Sequence, residues 1–429
     1  MQVTNDRAPG EPSDPFAHVD RAAFARDIDG IRKDAVASLS PADLEHLRKM
    51  ERWGRACTGL GYATAWIAPN PFSTLLLSTG SMARWTIVVH HVSHRGMERV
   101  PGVPAEYTSR VFARGSRRWL DWLDWIAPEA WDHEHNVLHH FRTGEIADPD
   151  LVEENVAALR DPRVPLPLRY AAVAFYALTW KLTYYAPSTF QVLLRARARR
   201  EAGAVLPDPG GHDARGPQSY ASSFDPRTAS GREFLRTCVA PYALVRFGLL
   251  PLAFAPLGPL AVANVAANTL AAELCTNLHT FAVIAPNHAG DDVYRFDGPA
   301  KGKGEMYLRQ VVSSVNFQTG GDVVDFLHGF LNYQIEHHLF PDLPPRTYRA
   351  IAPRVEETCR RHGVPYVKEP VWSRVKKLVD VMVGKTSMLR ATGPRPVAAD
   401  VERAPAPVAA HVTSAGPVAD GADGAPGIG

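Results

Sequence analysis

The sequence predicts an all-α integral membrane protein, with about four transmembrane helices and a helical cap on the cytoplasmic side. Three observations carry that expectation. Long apolar stretches alternate with polar ones. Two of the apolar stretches are interrupted by prolines, which suits turns between antiparallel helices. Histidines gather just beyond the apolar stretches, where a cap would begin.

In chain order, residues 1–20 are polar and Pro-rich, and read as a disordered tail without a cleavable signal peptide. Residues 20–55 read as polar helix, with Ser40 as an N-cap before PADLEHLRKMERW. The first apolar region, 57–90, is broken at Pro69-Asn70-Pro71. The second is 166–187, and the third, 239–284, is broken around Pro256 to Pro259. A spanning helix needs about 20 apolar residues, so the third region is long enough for two. Trp119, Trp122 and Trp125, followed by Trp131, predict a tryptophan-faced helix lying at the membrane interface or packed on the core. The arginines of 190–236, among them Arg195, Arg197, Arg199 and Arg200, suit a cytoplasmic loop. Residues 393–429, rich in Pro, Ala and Gly, read as a second disordered tail. This leaves 21–392 as the working domain.

Composition excludes several classes. A formal net charge of +2 gives no pull toward nucleic acid. The mean hydropathy of -0.17 hides the segregation of apolar residues. Cys57, Cys238, Cys275 and Cys359 are scattered, so neither a disulfide framework nor a thiolate zinc site is encoded.

Of 17 histidines, 12 fall in two windows, and three clusters share one geometry. In HHVSH, His90 and His94 are one helical turn apart and can grip one ion. In HNVLHH, His135 and His139 repeat that spacing, with His140 beside them. On an α-helix His139 and His140 point about 100° apart, so they suit two ions or two sides of one site. In QIEHH, Gln334 and His338 are again four apart, with His337 adjacent. His279 and His288 lie between the second and third clusters. His288 is the favoured addition, because it emerges past the apolar segment on the side of the others. A set of seven or eight imidazoles exceeds the four ligands of a structural zinc site and implies two metals. Imidazole suits Zn, Cu, Fe and Ni alike, so ligand type alone does not choose. The fold expectation is thereby completed: the cap carries a histidine-rich di-metal site. His91, Asp132 and Gln334 are candidate outer partners of the ligands.

HHVSH, HNVLHH and NYQIEHHLFPDLP, in that order, resemble the three histidine boxes of the integral-membrane fatty acid desaturases. The third is similar to the acyl-lipid and front-end branch, and the resemblance covers roughly 55–380. It implies two iron ions, O₂ as co-substrate, and removal of two hydrogens from an acyl chain. The implied iron ligands are His90, His94, His135, His139, His140, His337 and His338, with His288 as the additional ligand. His91 stands where the family usually has Asp or Glu, which departs from the pattern. The implied substrate is a fatty acyl lipid, acyl-CoA or acyl-carrier protein. No H-P-G-G haem motif is present, so electrons are expected from a separate ferredoxin or cytochrome b5. Arg117, Arg118, Lys301, Lys303, Arg309, Lys376 and Lys377 are candidates for docking that acidic partner. Hydroxylases, acetylenases and ketolases share these boxes and form the rival reading. A metal transporter is disfavoured, because its ionisable groups would lie at the membrane midplane.

Convergence of the clusters demands an even number of crossings between His140 and His337. Either 239–284 is a hairpin and 166–187 lies in the interface, or 166–187 crosses once and part of 239–284 crosses back.

Overall fold

The computed structural model describes residues 14–201, 203 and 220–391. Helix α1, Arg21–Ala37, is capped by Asp20, whose carboxylate accepts the N–H groups of Ala22 and Ala23. Helix α2, Pro41–Ala65, starts at Ser40 as expected, where the Asp43 carboxylate accepts the Ser40 N–H at 2.9 Å. Residues 14–20, grouped with the tail by composition, are packed instead: Phe16 and Val19 are buried. The expectation for 393–429 falls outside the described residues.

The first apolar region forms a hairpin. Helix α3, Pro71–Ala83, is capped by Asn70 and packs antiparallel on α2. Gly80 permits the close approach, because a Cβ there would strike Thr58 and the Gly54 carbonyl. The third region forms a second hairpin. One arm is a continuous helix over 229–252, and the other is Pro259–Ile284. Gly258 takes φ 100° at the turn, a backbone conformation that glycine adopts without strain. The two turns lie at the same end. Asn264 donates to the Trp66 and Ile67 carbonyls, and Asn268 to those of Ala65 and Ala68. Outward-facing residues of the hairpins are apolar, such as Leu75, Leu252, Leu260 and Leu270. Inward-facing residues are polar, among them Thr269, Glu273, Thr276 and Asn277. Among the described residues one helix, Ala229–Leu257, is by itself long and apolar enough to cross a membrane.

The second apolar region is one helix over 166–201, which touches the cap near its start, the second histidine cluster at its middle and the second hairpin beyond that. Arg169 donates to the Val383 carbonyl, Tyr185 to Glu134, and Phe190 packs on Phe234. The arginines expected in a loop begin on this helix; residues 202 and 204–219 fall outside the described ones.

The tryptophan-faced helix does not form. From Trp119 to Trp125 the helix stops at Asp121 and the chain turns away at Trp122, while Trp131 sits on a separate helix, Pro128–Trp131. Trp122, Trp125 and Trp131 are buried, while Trp119 stays exposed. Trp125 donates to distant Glu273 at 2.7 Å, and Trp122 to the nearby Ile126 carbonyl at 2.8 Å. Burial in the core therefore overrides the helical spacing.

The cap combines α1 with helices Lys303–Val312, Gln334–Leu339, Pro345–His362 and Val371–Met382. Two short parallel pairs tie its segments. Strand β1, Tyr294–Phe296, pairs with β4, Leu389–Ala391, and β2, Asn316–Phe317, pairs with β3, Lys368–Glu369. Fully buried Arg374 holds Asp292 at 2.6 Å beside them.

Candidate metal centre

The first two histidine clusters are delivered by helices that depart from the α register. Helix α3 continues through a π-helical stretch, Arg84–Val89, so that the His90 N–H bonds to the Trp85 carbonyl. The second cluster sits on a π-helix, Asp132–His139, where the His140 N–H bonds to the His135 carbonyl. An i→i+5 ladder widens the turn. His135 therefore faces both of its neighbours, with ring centroids 5.1 Å from His139 and 4.9 Å from His140. The third cluster lies on the short helix Gln334–Leu339. Gly329, at φ 63°, lets the chain before it pass close to α3, since a Cβ there would strike Thr86.

The clusters converge as two groups. His90, His94, His135 and His337 bring ligand atoms within 4.8 Å of one another, and so do His139, His288 and His338. The Nε2 atom of His90 lies 3.1 Å from that of His94 and 3.2 Å from that of His135. His140 stands between the groups, its ring 4.4 Å from those of both His94 and His338. Neither of its nitrogens has a hydrogen-bond partner, and the Nε2 atoms of His337 and His338 have none either. Buried nitrogens without partners are costly in an ordinary core. They suit a site that holds metal.

The outer contacts aim the rings. His139 Nδ1 lies 2.9 Å from an Asp148 carboxylate oxygen. His288 Nδ1 donates to the Ser313 carbonyl at 3.0 Å, and His338 Nδ1 to the Gln310 amide oxygen at 3.0 Å. His337 Nδ1 meets the Tyr348 hydroxyl at 3.2 Å. Tying Nδ1 in this way leaves Nε2 for the centre. Burial pushes His94, His135, His140, His337 and His338 well below the usual imidazole range, and their mutual repulsion adds to it. Burial takes His288 down to about 3. These rings are neutral, which is the form that binds metal. His139 is the exception: burial lowers it, but the Asp148 charge and hydrogen bond raise it overall.

Thus all eight sequence-predicted histidine ligands come together. The other candidates lie further out. His91 bonds through Nδ1 to the Ile87 carbonyl and packs its ring against those of His337 and Tyr348. Gln334 Nε2 is 2.8 Å from His288 Nε2. Asp132 accepts from Asn136, which also donates to the Ser93 carbonyl, so it braces the first two clusters without touching a ligand. His279 bonds to the Leu327 carbonyl, away from the centre. Asp148, Ser313, Gln310 and Tyr348 were not singled out from sequence; only the nine-residue separation of Asp148 from His139 placed it near. Of the seven basic docking candidates, six are engaged within the chain. Arg309 is buried against Glu145 and Glu305, and Lys377 pairs with Asp292 and Glu369. Arg117, Lys303 and Lys376 pair with Asp121, Asp29 and Asp380, and Arg118 bonds the Thr237 carbonyl. Lys301 is exposed.

A cavity of roughly 240 Å³ opens beside the centre. His90, His135, His139 and His288 form one wall, and Trp85, Trp180, Phe281, Leu378 and Met382 line the rest. An apolar cavity ending on a histidine cluster is shaped for a hydrocarbon chain.

Residues 64–370 match the family model for fatty acid desaturase. The chain belongs to the fatty acid desaturase family. It is 28% identical over 367 residues to the NADPH-dependent stearoyl-CoA 9-desaturase of Mycobacterium tuberculosis, covering 82% of this chain and 78% of that protein. It is 28% identical over 328 residues to the chloroplastic acyl-lipid (7-3)-desaturase of Chlamydomonas reinhardtii, covering 73% of this chain and 56% of that protein. With delta(5) fatty acid desaturase A of Dictyostelium discoideum it shares 23% identity over 298 residues, 66% of this chain and 56% of the relative. As a desaturase family member, the chain carries a membrane-associated helical fold with a histidine cluster fitted for metal.

Proposed function

We propose that this chain introduces a C=C double bond into a fatty acyl chain. In the overall reaction a CH₂–CH₂ unit, O₂, two electrons and two protons give CH=CH and two waters. The carrying observation is that two histidine groups converge at the wall of an apolar cavity. An unactivated methylene hydrogen is not acidic, so no side chain acting as a base can remove it. Two iron ions, when bound, supply the oxidising power. His90, His94, His135 and His337 would hold one and His139, His288 and His338 the other, with His140 between them. Gln334 lies beside His288, where its amide oxygen can accept from a water at the centre. The cavity walls exclude water and hold the acyl chain against the histidines. The acyl group is delivered as a lipid or a thioester, in keeping with the names of the relatives.

The two hairpins would supply four membrane crossings. The 166–201 helix would lie in the interface, which its contacts with the cap at Arg169 and with the second cluster at Tyr185 support. The centre would then face the cytoplasm, and 21–392 would form the whole catalytic domain. A ferredoxin or a cytochrome b5 would bring the electrons. Expression in a host with a simple lipid profile tests the reading. Mass spectrometry should find fatty acids lighter by two hydrogens, absent with His337→Ala. A gain of oxygen instead would point to a hydroxylase.

A further inference from the structure

The two histidine groups differ in what stands behind them. Behind the second group lies a braced carboxylate. Asp148 is 2% exposed, and one oxygen sits 2.9 Å from His139 Nδ1. The same oxygen accepts the Asp150 N–H at 2.9 Å, and the other accepts the Gly144 N–H at 3.0 Å. Gly144, at φ 76°, packs so closely on the Ser313 side chain that a Cβ would collide with it. Ser313 in turn offers its carbonyl to His288 Nδ1. One turn, residues 144–148, therefore fixes one ligand of the second group directly and buttresses the partner of another. His338 completes the set through Gln310 and Thr143.

The first group has no such support. Among the described residues His135 Nδ1 is buried without a partner, and His90 has the uncharged Thr86 backbone carbonyl beside it. Its His337 has a partner, the uncharged Tyr348 hydroxyl. With His140 equally near both and an Asp150 oxygen within reach of His135 and His139, what this group has instead is one imidazole more of its own, four against three.

We infer that Asp148 is a positioning residue that sets the metal affinity of the second histidine group alone, making the two metal positions inequivalent. An anionic acceptor on Nδ1–H fixes the ring and makes Nε2 a stronger donor, an effect typically worth about 10- to 100-fold in metal affinity. With only three imidazoles, the second group depends on that contribution. The first group relies on ligand number.

The inference rests on the reading that these groups hold iron, and one experiment separates the two. The full chain in detergent is stripped and titrated anaerobically with ferrous iron, with bound metal followed by elemental analysis and Mössbauer spectroscopy. Wild type should bind two irons per chain. Asp148→Asn keeps the size of the side chain but removes its charge. It should bind one iron as wild type does and the other about 10- to 100-fold more weakly. Mössbauer spectra at one equivalent should then show a single isolated site. Asp148→Glu restores the charge and should recover part of the loss. Equal weakening of both irons would mean that Asp148 serves only the local fold. No weakening of either would overturn the inference while leaving the iron reading intact. A wild type that binds no iron would overturn both.

Discussion

The hairpins and the cap are built inside out with respect to each other. On the hairpins, Leu252, Leu260 and Leu270 face outward while Glu273, Asn268 and Thr276 face inward. On the cap, apolar residues such as Phe340, Tyr348 and Val355 are buried, and ion pairs such as Arg32–Asp342 and Arg354–Asp34 lie nearer the surface. The difference shows where each half finds its cohesion. Set in lipid as proposed, the hairpins would gain little from burying leucine, because lipid tails are as apolar as leucine. They are held by close backbone approach at Gly80 and by buried polar contacts. The cap is held by burial of apolar surface. The histidines sit where the two regimes meet.

The largest expected effect lies at that seam. His337→Ala or His338→Ala should lower desaturation at least about 100-fold and reduce bound iron, as removing a ligand costs no less than removing an outer partner. Product yield and metal content per chain measure it.

Next comes the hairpin interior. Glu273 accepts from Trp125 at 2.7 Å and from Tyr242 at 2.8 Å, with Arg246 3.9 Å away. Glu273→Leu should cost about 3–5 kcal/mol, because it strands a buried cation and two donors. Unfolding in detergent reads the loss. A similar loss on Phe326→Leu, a modest shape change in the cap, would blur the contrast.

A smaller effect tests the outer face. Leu270→Lys, pointing away from the protein, should reduce membrane insertion by about 2.5–3.5 kcal/mol if it meets lipid near mid-bilayer. Stability in detergent should change little. A membrane fractionation assay separates the two.

The smallest effect sharpens the cap side. Hydrogen bonds from Lys49 and Arg349 hold the Asp322 carboxylate well below its ordinary value of 3.8. A depressed folded value means that the pair contributes fully above that ordinary value and is lost as pH falls through the lower one. Asp322→Asn should therefore be less stable than wild type at neutral pH, and the gap should close on acidification. Melting curves across that range report it.

Much of this centre was legible because its ligands are local in sequence. His90 and His94, or His135 and His139, declare a shared face through spacing alone. His288 was preferred over His279 because it lies past the apolar segment, and the structure places it with the others. What spacing could not reveal depends on distant partners. The helix through Trp119, Trp122 and Trp125 breaks off where Trp125 is buried against distant Glu273. Asp148 was invisible because its role follows from a turn, and nothing local in ADPD requires that turn to meet His139. Nor does sequence show that Arg309, one of the basic docking candidates, has Glu145 and Glu305 beside it.

The π-helical stretch Asp132–His139 carries one last consequence. A π turn holds one residue more than an α turn in the same ladder. The second cluster therefore works as an insertion that the protein has kept. Deleting a single outward residue such as exposed Val137 would let the ladder relax to α, and the tighter α winding would offset the lost residue, so the residues on either side would keep nearly the same relative direction. No ligand would be removed, and composition would barely change. Yet His135 would then meet the His139–His140 pair at the three- and four-residue spacing of an ordinary α-helix face, so the extra residue is what lets the four- and five-residue spacing of the second cluster converge.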